Sequence, residues 1–318
     1  MMRFRFLLVL GTLAALNACT DSSSGDSSTR GTDAAVYRDL GPWDAGVTTL
    51  ELADRLVEVW YPVDVADTEG LEPAAYYIRD ELSETLNSLL PDDINPPFIS
   101  DAYRDVRAGS GGPFPLVLFA HGSSSYRNQS AFLTAHLASW GFVVASVDYL
   151  ERGLGLTFGP DPDPEMDDVE LSRMVVSLLA SENAREGGLL EGVVTTDEIA
   201  ITGHSAGGGT SVRFGGEPDV VTFIPLSAGV SSEGTTELPD KPSLWLTGKT
   251  DGIVDPQSTI DAFEQASAPA RLVLIDDMGH LGPSDICTIG EGGGGVIAIA
   301  LEAGLPISEE LQRLGTDG

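Results

Sequence analysis

Basic residues are scarce: the 318-residue chain holds 17 Lys and Arg against 49 Asp and Glu, a formal net charge of −32. A field of that sign repels phosphate backbones and anionic lipid surfaces. It argues against nucleic-acid binding and reads as a heavily hydrated acidic surface. Histidine is rarer still, at four residues, which confines the search for a general base to His121, His136, His204 and His280. The two cysteines are Cys19 and Cys287. No internal repeat is visible. The 42% hydrophobic content suffices for one large core, and the length does not demand a second domain.

The N-terminus joins a basic segment, Met1-Met2-Arg3-Phe4-Arg5, to an apolar run over residues 6–16 that is too short to span a bilayer. Leu16-Asn17-Ala18-Cys19 resembles the bacterial lipobox, in which the cysteine is lipidated and becomes the new N-terminus. Asn17 departs from the usual small residue, and an ordinary signal peptide with a chance cysteine is the alternative. Residues 20–33 are almost all Ser, Asp, Gly and Thr, a flexible spacer that can bury nothing. The expectation is a signal peptide over 1–18, a tether over 19–46 and a catalytic domain over 47–318. The product would be exported and held at a membrane only through a lipid on Cys19, or else freely secreted.

From residue 47 the pattern is that of an α/β domain. Residues 48–62 read as a strand and 74–90 as a helix. Short β-branched apolar runs at 116–120, 142–147, 199–202, 220–226, 243–246 and 271–275 read as buried strands. Helical patterns lie between them at 130–140, 168–186, 206–214 and 257–266. Such alternation predicts a mostly parallel central sheet with helices on both faces. A proline-rich acidic loop over 158–168 should lie near an active site at the strands' carboxyl ends. The glycine cluster at 292–295 reads as a turn feeding a helix over 296–303. A phosphate loop there is disfavoured, since no strand precedes it and no Lys follows.

Gly203-His204-Ser205-Ala206-Gly207-Gly208 falls between a buried strand and a helical start. A serine hydroxyl is a poor nucleophile unless it is held exposed beside a base, and a sharp strand-to-helix turn between small residues does this. Ser205 is therefore the candidate nucleophile. His204, inside the turn, is expected to point its side chain away, and His136 reads as a surface or packing residue. His280, past the strand at 272–275, is the candidate base. Asp251, after the glycine turn that follows residues 244–247, is the candidate acid. Asp255 is its rival, while Asp276 and Asp277 sit too close to His280 along the chain. The backbone N–H groups of Ala206 and Ser123 are the candidate oxyanion donors. His121 could be a second base, with bracing of its loop the favoured reading.

The stretches Pro115-Leu116-Val117-Leu118-Phe119-Ala120-His121-Gly122, Tyr126-Arg127-Asn128-Gln129-Ser130 and Leu137-Ala138-Ser139-Trp140-Gly141-Phe142 resemble the platelet-activating-factor acetylhydrolase and dienelactone-hydrolase-like branch of bacterial α/β-hydrolases. Bacterial cutinases and polyester hydrolases share the Gly-His-Ser-x-Gly-Gly-Gly elbow. The resemblance implies an α/β-hydrolase fold and hydrolysis of short acyl esters, small or polymeric, without metal or cofactor. It also makes Cys287 look like half of a disulfide whose partner is missing, hence a chain truncated at its C-terminus. A monomer is expected. The competing readings are an acetyl-phospholipid hydrolase, a peptidase of the same fold and, from another class, a catalytically idle surface binding protein.

Overall fold

The computed structural model describes residues 36–82, 87–88, 91, 95, 97–158, 165–229, 237–289, 295, 301 and 304. A nine-stranded sheet forms its centre, in the order β11-β10-β9-β8-β6-β7-β2-β1-β5. Strands β6 (Phe114–Ala120), β7 (Val143–Val147), β8 (Val194–His204), β9 (Val220–Leu226), β10 (Ser243–Gly248) and β11 (Ala270–Ile275) run parallel. Helices connect most of them: α1 (Ala131–Ser139), a short α2 (Leu154–Phe158), α3 (Asp168–Ala184), α4 (Ala206–Phe214) and α5 (Pro256–Gln265). This is the mostly parallel sheet that the alternating pattern predicts, in the α/β-hydrolase architecture that the resemblance implies.

Both faces of the sheet are covered, and β6 shows how the sequence achieves it. Leu116, Leu118 and Ala120 join a core formed with α3, α4 and α5, whereas Val117 and Phe119 join a second core formed with α1. Side chains alternate across a strand, so a strand buried on both faces must be apolar throughout. The stripe Leu171, Val175 and Leu179 on α3 follows the helical repeat and is buried against the first core. Asp167 starts that helix by accepting the N–H groups of Val169 and Glu170.

Sheet order fixes where a site can form. From β6 the chain crosses to β7 on one side, then returns to β8 on the other side of β6. The loops leaving β6 and β8 therefore diverge, and the crevice between them is the topological switch point at which α/β sheets bind ligands.

Several expectations change. The single strand predicted at 48–62 is an antiparallel hairpin, β1 (Asp44–Leu52) and β2 (Arg55–Val63), paired from Asp44↔Val63 to Leu52↔Arg55. Ala53 turns it with φ 56°. The helix predicted at 74–90 begins instead as β3 (Ala75–Tyr77), paired with β4 (Pro97–Ile99), and continues as a 3-10 turn over Ile78–Glu81. A further short strand, β5 (Ala102–Arg104), lies parallel to β1.

The last part of the predicted tether is docked on the domain. The rings of Tyr37 and Trp140 lie 4.7 Å apart, Trp43 meets Phe114 edge-on at 5.5 Å, and Gly41 N–H donates to Ser139 Oγ at 2.8 Å. Those aromatics are the signal that separates residues 36–46 from the Ser/Asp/Gly spacer. Cys19, the signal segment, the centre of the acidic loop at 159–164 and most of the glycine cluster and following helix lie outside the described residues. Cys287 is disulfide-bonded, contrary to the expectation that its partner is missing. Among the described residues, no helix is long and apolar enough to cross a membrane.

Candidate active site

Ser205 stands between the last residue of β8 and the first of α4, with φ 55° and ψ −120°. A β-carbon tolerates that region poorly, and holding it there costs about 1–3 kcal/mol. The turn closes so tightly that side chains are excluded on either side. A Cβ on Gly203 would sit 2.2 Å from the Gly207 carbonyl oxygen, and one on Gly207 would sit 2.0 Å from that of Ala120. The Gly-x-Ser-x-Gly spacing is thus a packing requirement of the elbow, which leaves Ser205 partly exposed over the N-terminus of α4.

Asp251 and His280 come from the turns after β10 and β11, at the same edge of the sheet. His280 Nδ1 bonds Asp251 Oδ2 at 2.9 Å, and both residues are buried. The other oxygen, Asp251 Oδ1, accepts the N–H groups of Ile253 and Val254 at 2.9 and 2.8 Å. Three donors therefore fix the carboxylate. In turn it holds the imidazole as the Nδ1–H tautomer, leaving Nε2 free to accept a proton. Asp255, the rival acid, faces elsewhere: its side chain caps α5 through Gln257 N–H at 2.9 Å. Asp276 is exposed and pairs with Lys249 at 2.6 Å.

Among the described residues no hydrogen bond joins Ser205 Oγ to His280 Nε2, a contact that commonly tightens only when substrate is bound. Nor does any described acceptor take the backbone N–H of Ser123 or of Ala206, both on exposed residues. Ser124, next to Ser123, is held at φ 53° by donating its N–H to the Arg152 carbonyl at 2.7 Å.

The remaining histidines are structural, in differing ways. His121 is fully buried. Its Nδ1 donates to the Gly122 carbonyl at 2.8 Å and its Nε2 accepts the Tyr149 N–H at 2.9 Å, so neither nitrogen can serve a substrate. Burial, helped by the charge of Arg152, pulls its pKa down to about 3. Arg152 also donates from Nε to the His121 carbonyl at 3.0 Å, pinning the loop from a second side. His136 bonds the Tyr37 carbonyl at 3.1 Å on the surface.

His204 departs from its expected orientation. Its ring turns towards the base loop, 4.8 Å from the His280 ring, and its Nε2 bonds the His280 carbonyl at 2.8 Å. Gln129, which lies in a stretch that carries the family resemblance but has no role assigned from the sequence, bonds the other ring nitrogen at 2.8 Å. Among the described residues there is no group of three His, Cys, Asp or Glu side chains suited to a metal ion.

No curated protein matches the chain. The family match ends before Ser205, Asp251 and His280, so their assignment rests on position and geometry. It does cover the hairpin strand β2, the loop after β6 and helix α3. The chain is an α/β-hydrolase-fold protein, similar over residues 54–185 to the family described as platelet-activating factor acetylhydrolase, isoform II.

Proposed function

We propose that the chain is a serine carboxylic ester hydrolase working through an acyl-enzyme on short-chain acyl esters. The observation that carries this reading is the buried 2.9 Å Asp251–His280 bond at the sheet edge where β8 delivers Ser205. In the proposed reaction His280 Nε2 takes the Ser205 hydroxyl proton as Oγ attacks the ester carbonyl. The N–H groups of Ser123 and Ala206 receive the developing oxyanion, a donation typically worth about 10²–10³ in rate for each donor. The protonated imidazole, stabilised by Asp251, gives its proton to the departing alcohol. Water, deprotonated by His280, then frees the acid and restores the serine.

The family match favours acetyl-phospholipid as a substrate, since the relatives are described as acetylhydrolases of platelet-activating factor. The elbow sequence favours polyesters by its likeness to cutinases. Turnover of p-nitrophenyl acetate and butyrate by the wild type and by Ser205→Ala tests the common chemistry. Loss of turnover in the variant is the expected result; equal rates would remove Ser205 as the nucleophile, and no turnover by either protein would leave a binding protein on a hydrolase scaffold. Acetate release from an acetyl-phospholipid, set against product release from a polyester film, then separates the substrates.

Export with a lipid on Cys19 belongs to the same proposal. A thioether at Cys19 and a disulfide from Cys19 to Cys287 exclude each other. Mass analysis of the mature N-terminal peptide therefore decides between an anchor and a crosslink.

A further inference from the structure

Gln129 is completely buried between the loop after β6 and the elbow. Its side-chain oxygen accepts the Gly122 N–H at 2.8 Å, and its amide nitrogen lies 2.8 Å from His204 Nδ1. The opposite nitrogen of His204, Nε2, lies 2.8 Å from the main-chain oxygen of His280. The two ends fix the direction of every bond between them. Gly122 can only donate and the His280 carbonyl can only accept, so the Gln129 amide donates to Nδ1 and His204 carries its proton on Nε2. Three buried hydrogen bonds thus point the same way and polarise one another.

Each segment in this chain adjoins one part of the proposed machinery. Gly122 precedes the oxyanion donor Ser123, His204 precedes the nucleophile Ser205, and the accepting carbonyl belongs to the base His280 itself. We propose that His204 and Gln129 are positioning residues that lock the oxyanion loop, the elbow and the base loop into one register. The inference rests on the ester-hydrolase reading above. Packing alone would be met by an apolar side chain of His204's size, whereas the relay needs an acceptor and a donor on opposite edges of one ring. It also needs that ring neutral. Burial, then the neighbouring His280, pulls the His204 pKa down to about 3, against a weaker upward pull from Asp251. Those two are the titratable groups that act on it, and Gln129 and Gly122 bring no charge.

The test compares p-nitrophenyl butyrate kinetics of folded wild type, Ser205→Ala, His204→Phe, His204→Gln, Gln129→Leu and Gln129→Glu, with thermal melting run alongside. His204→Phe and Gln129→Leu keep volume but break the relay. They should lose about 10- to 100-fold in kcat, with KM within about twofold, because only the orientation of the reacting groups is disturbed. His204→Gln offers an acceptor and a donor again and should recover most of the loss. Gln129→Glu reverses one bond. Its carboxylate accepts from Gly122 and from a His204 that must now also carry a proton on Nδ1. That variant should work at low pH and gain an alkaline limb in kcat/KM as the second proton leaves, a limb absent from the wild type and from Gln129→Leu.

Rates within twofold of wild type for both relay-breaking variants would overturn the proposal. So would a His204→Gln variant as impaired as His204→Phe, or a Gln129→Glu profile without the added limb. Wild-type turnover that survives Ser205→Ala would instead overturn the ester-hydrolase reading, and this inference with it.

Discussion

Ser205 is held in a strained conformation, with a positive φ and a glycine forced on either side of its turn. Its proposed partners are held more conventionally, by short bonds from rigid strand ends. Asp251→Asn should leave the fold intact and lower kcat by about 10⁴-fold, because an amide can turn its N–H towards Nδ1 and stabilise the wrong imidazole tautomer. Steady-state rates with the soluble esters read this out, and a loss below tenfold would remove Asp251 from the reaction. Ser123→Ala should change rates by less than about threefold, since only the backbone N–H of that residue is proposed to act. Ser205, Asp251 and His280 were legible because each follows a short apolar strand and has a glycine within three residues. His204 and Gln129 were not, because their partners lie 76 and 75 residues away along the chain. No local pattern encodes a bond between an elbow and a loop that meet only after the sheet has formed.

Elements were legible in proportion to how far their own sequence determines them. The parallel strands stand out as short apolar runs with helical segments between them, and the observed spans lie close to the predicted ones except for β8, which extends over Val194–His204 where 199–202 is predicted. Strand β2 hid its partner. The hairpin turn at Ala53 and Asp54 sits inside a run of alternating residues, and Ala53 adopts positive φ without being glycine. Residues 75–77 have the apolar content of a helix start, yet they pair with β4, a contact set from outside the segment. The docking of residues 36–46 is a further case. Trp43→Ala should cost about 2 kcal/mol of stability, the value expected for a half-buried aromatic, while leaving ester turnover unchanged. Denaturant midpoints measure the first and the soluble-ester assay the second. An unchanged midpoint would return these residues to the tether.

At the scale of the whole molecule the dominant feature is charge. A net −32 opposes the compact state through self-repulsion, so denaturant midpoints should rise as sodium chloride is raised from about 0.01 to 1 M, where the screening length falls from about 30 to 3 Å. Flat midpoints would mean that the acidic surface is already neutralised. Buried titratable groups shape the pH dependence. His121 and His204 are both pulled down to about 3, so the unfolded imidazoles bind protons that the folded ones refuse. Their contribution is full above about pH 6.5 and is lost as pH falls towards 3. Glu81 behaves oppositely. Burial raises it to about 8 despite the adjacent Arg127. Its contribution is therefore full below about pH 4.5 and is lost as pH rises towards 8. Stability should peak between about pH 5 and 7, and Glu81→Gln should flatten the alkaline side of the peak in denaturant melts. A decline of undiminished slope in that variant would place its cause elsewhere.

The central claim is that Ser205 is a nucleophile raised on a strained elbow and served by His280 and Asp251. The most direct measurement is peptide mass analysis of the folded protein after treatment with a fluorophosphonate, which stops the reaction at the first covalent step. A single adduct on Ser205, absent from the denatured chain and strongly reduced in His280→Ala, is the predicted result. An unmodified Ser205 in folded protein, or equal labelling with and without His280, would contradict it.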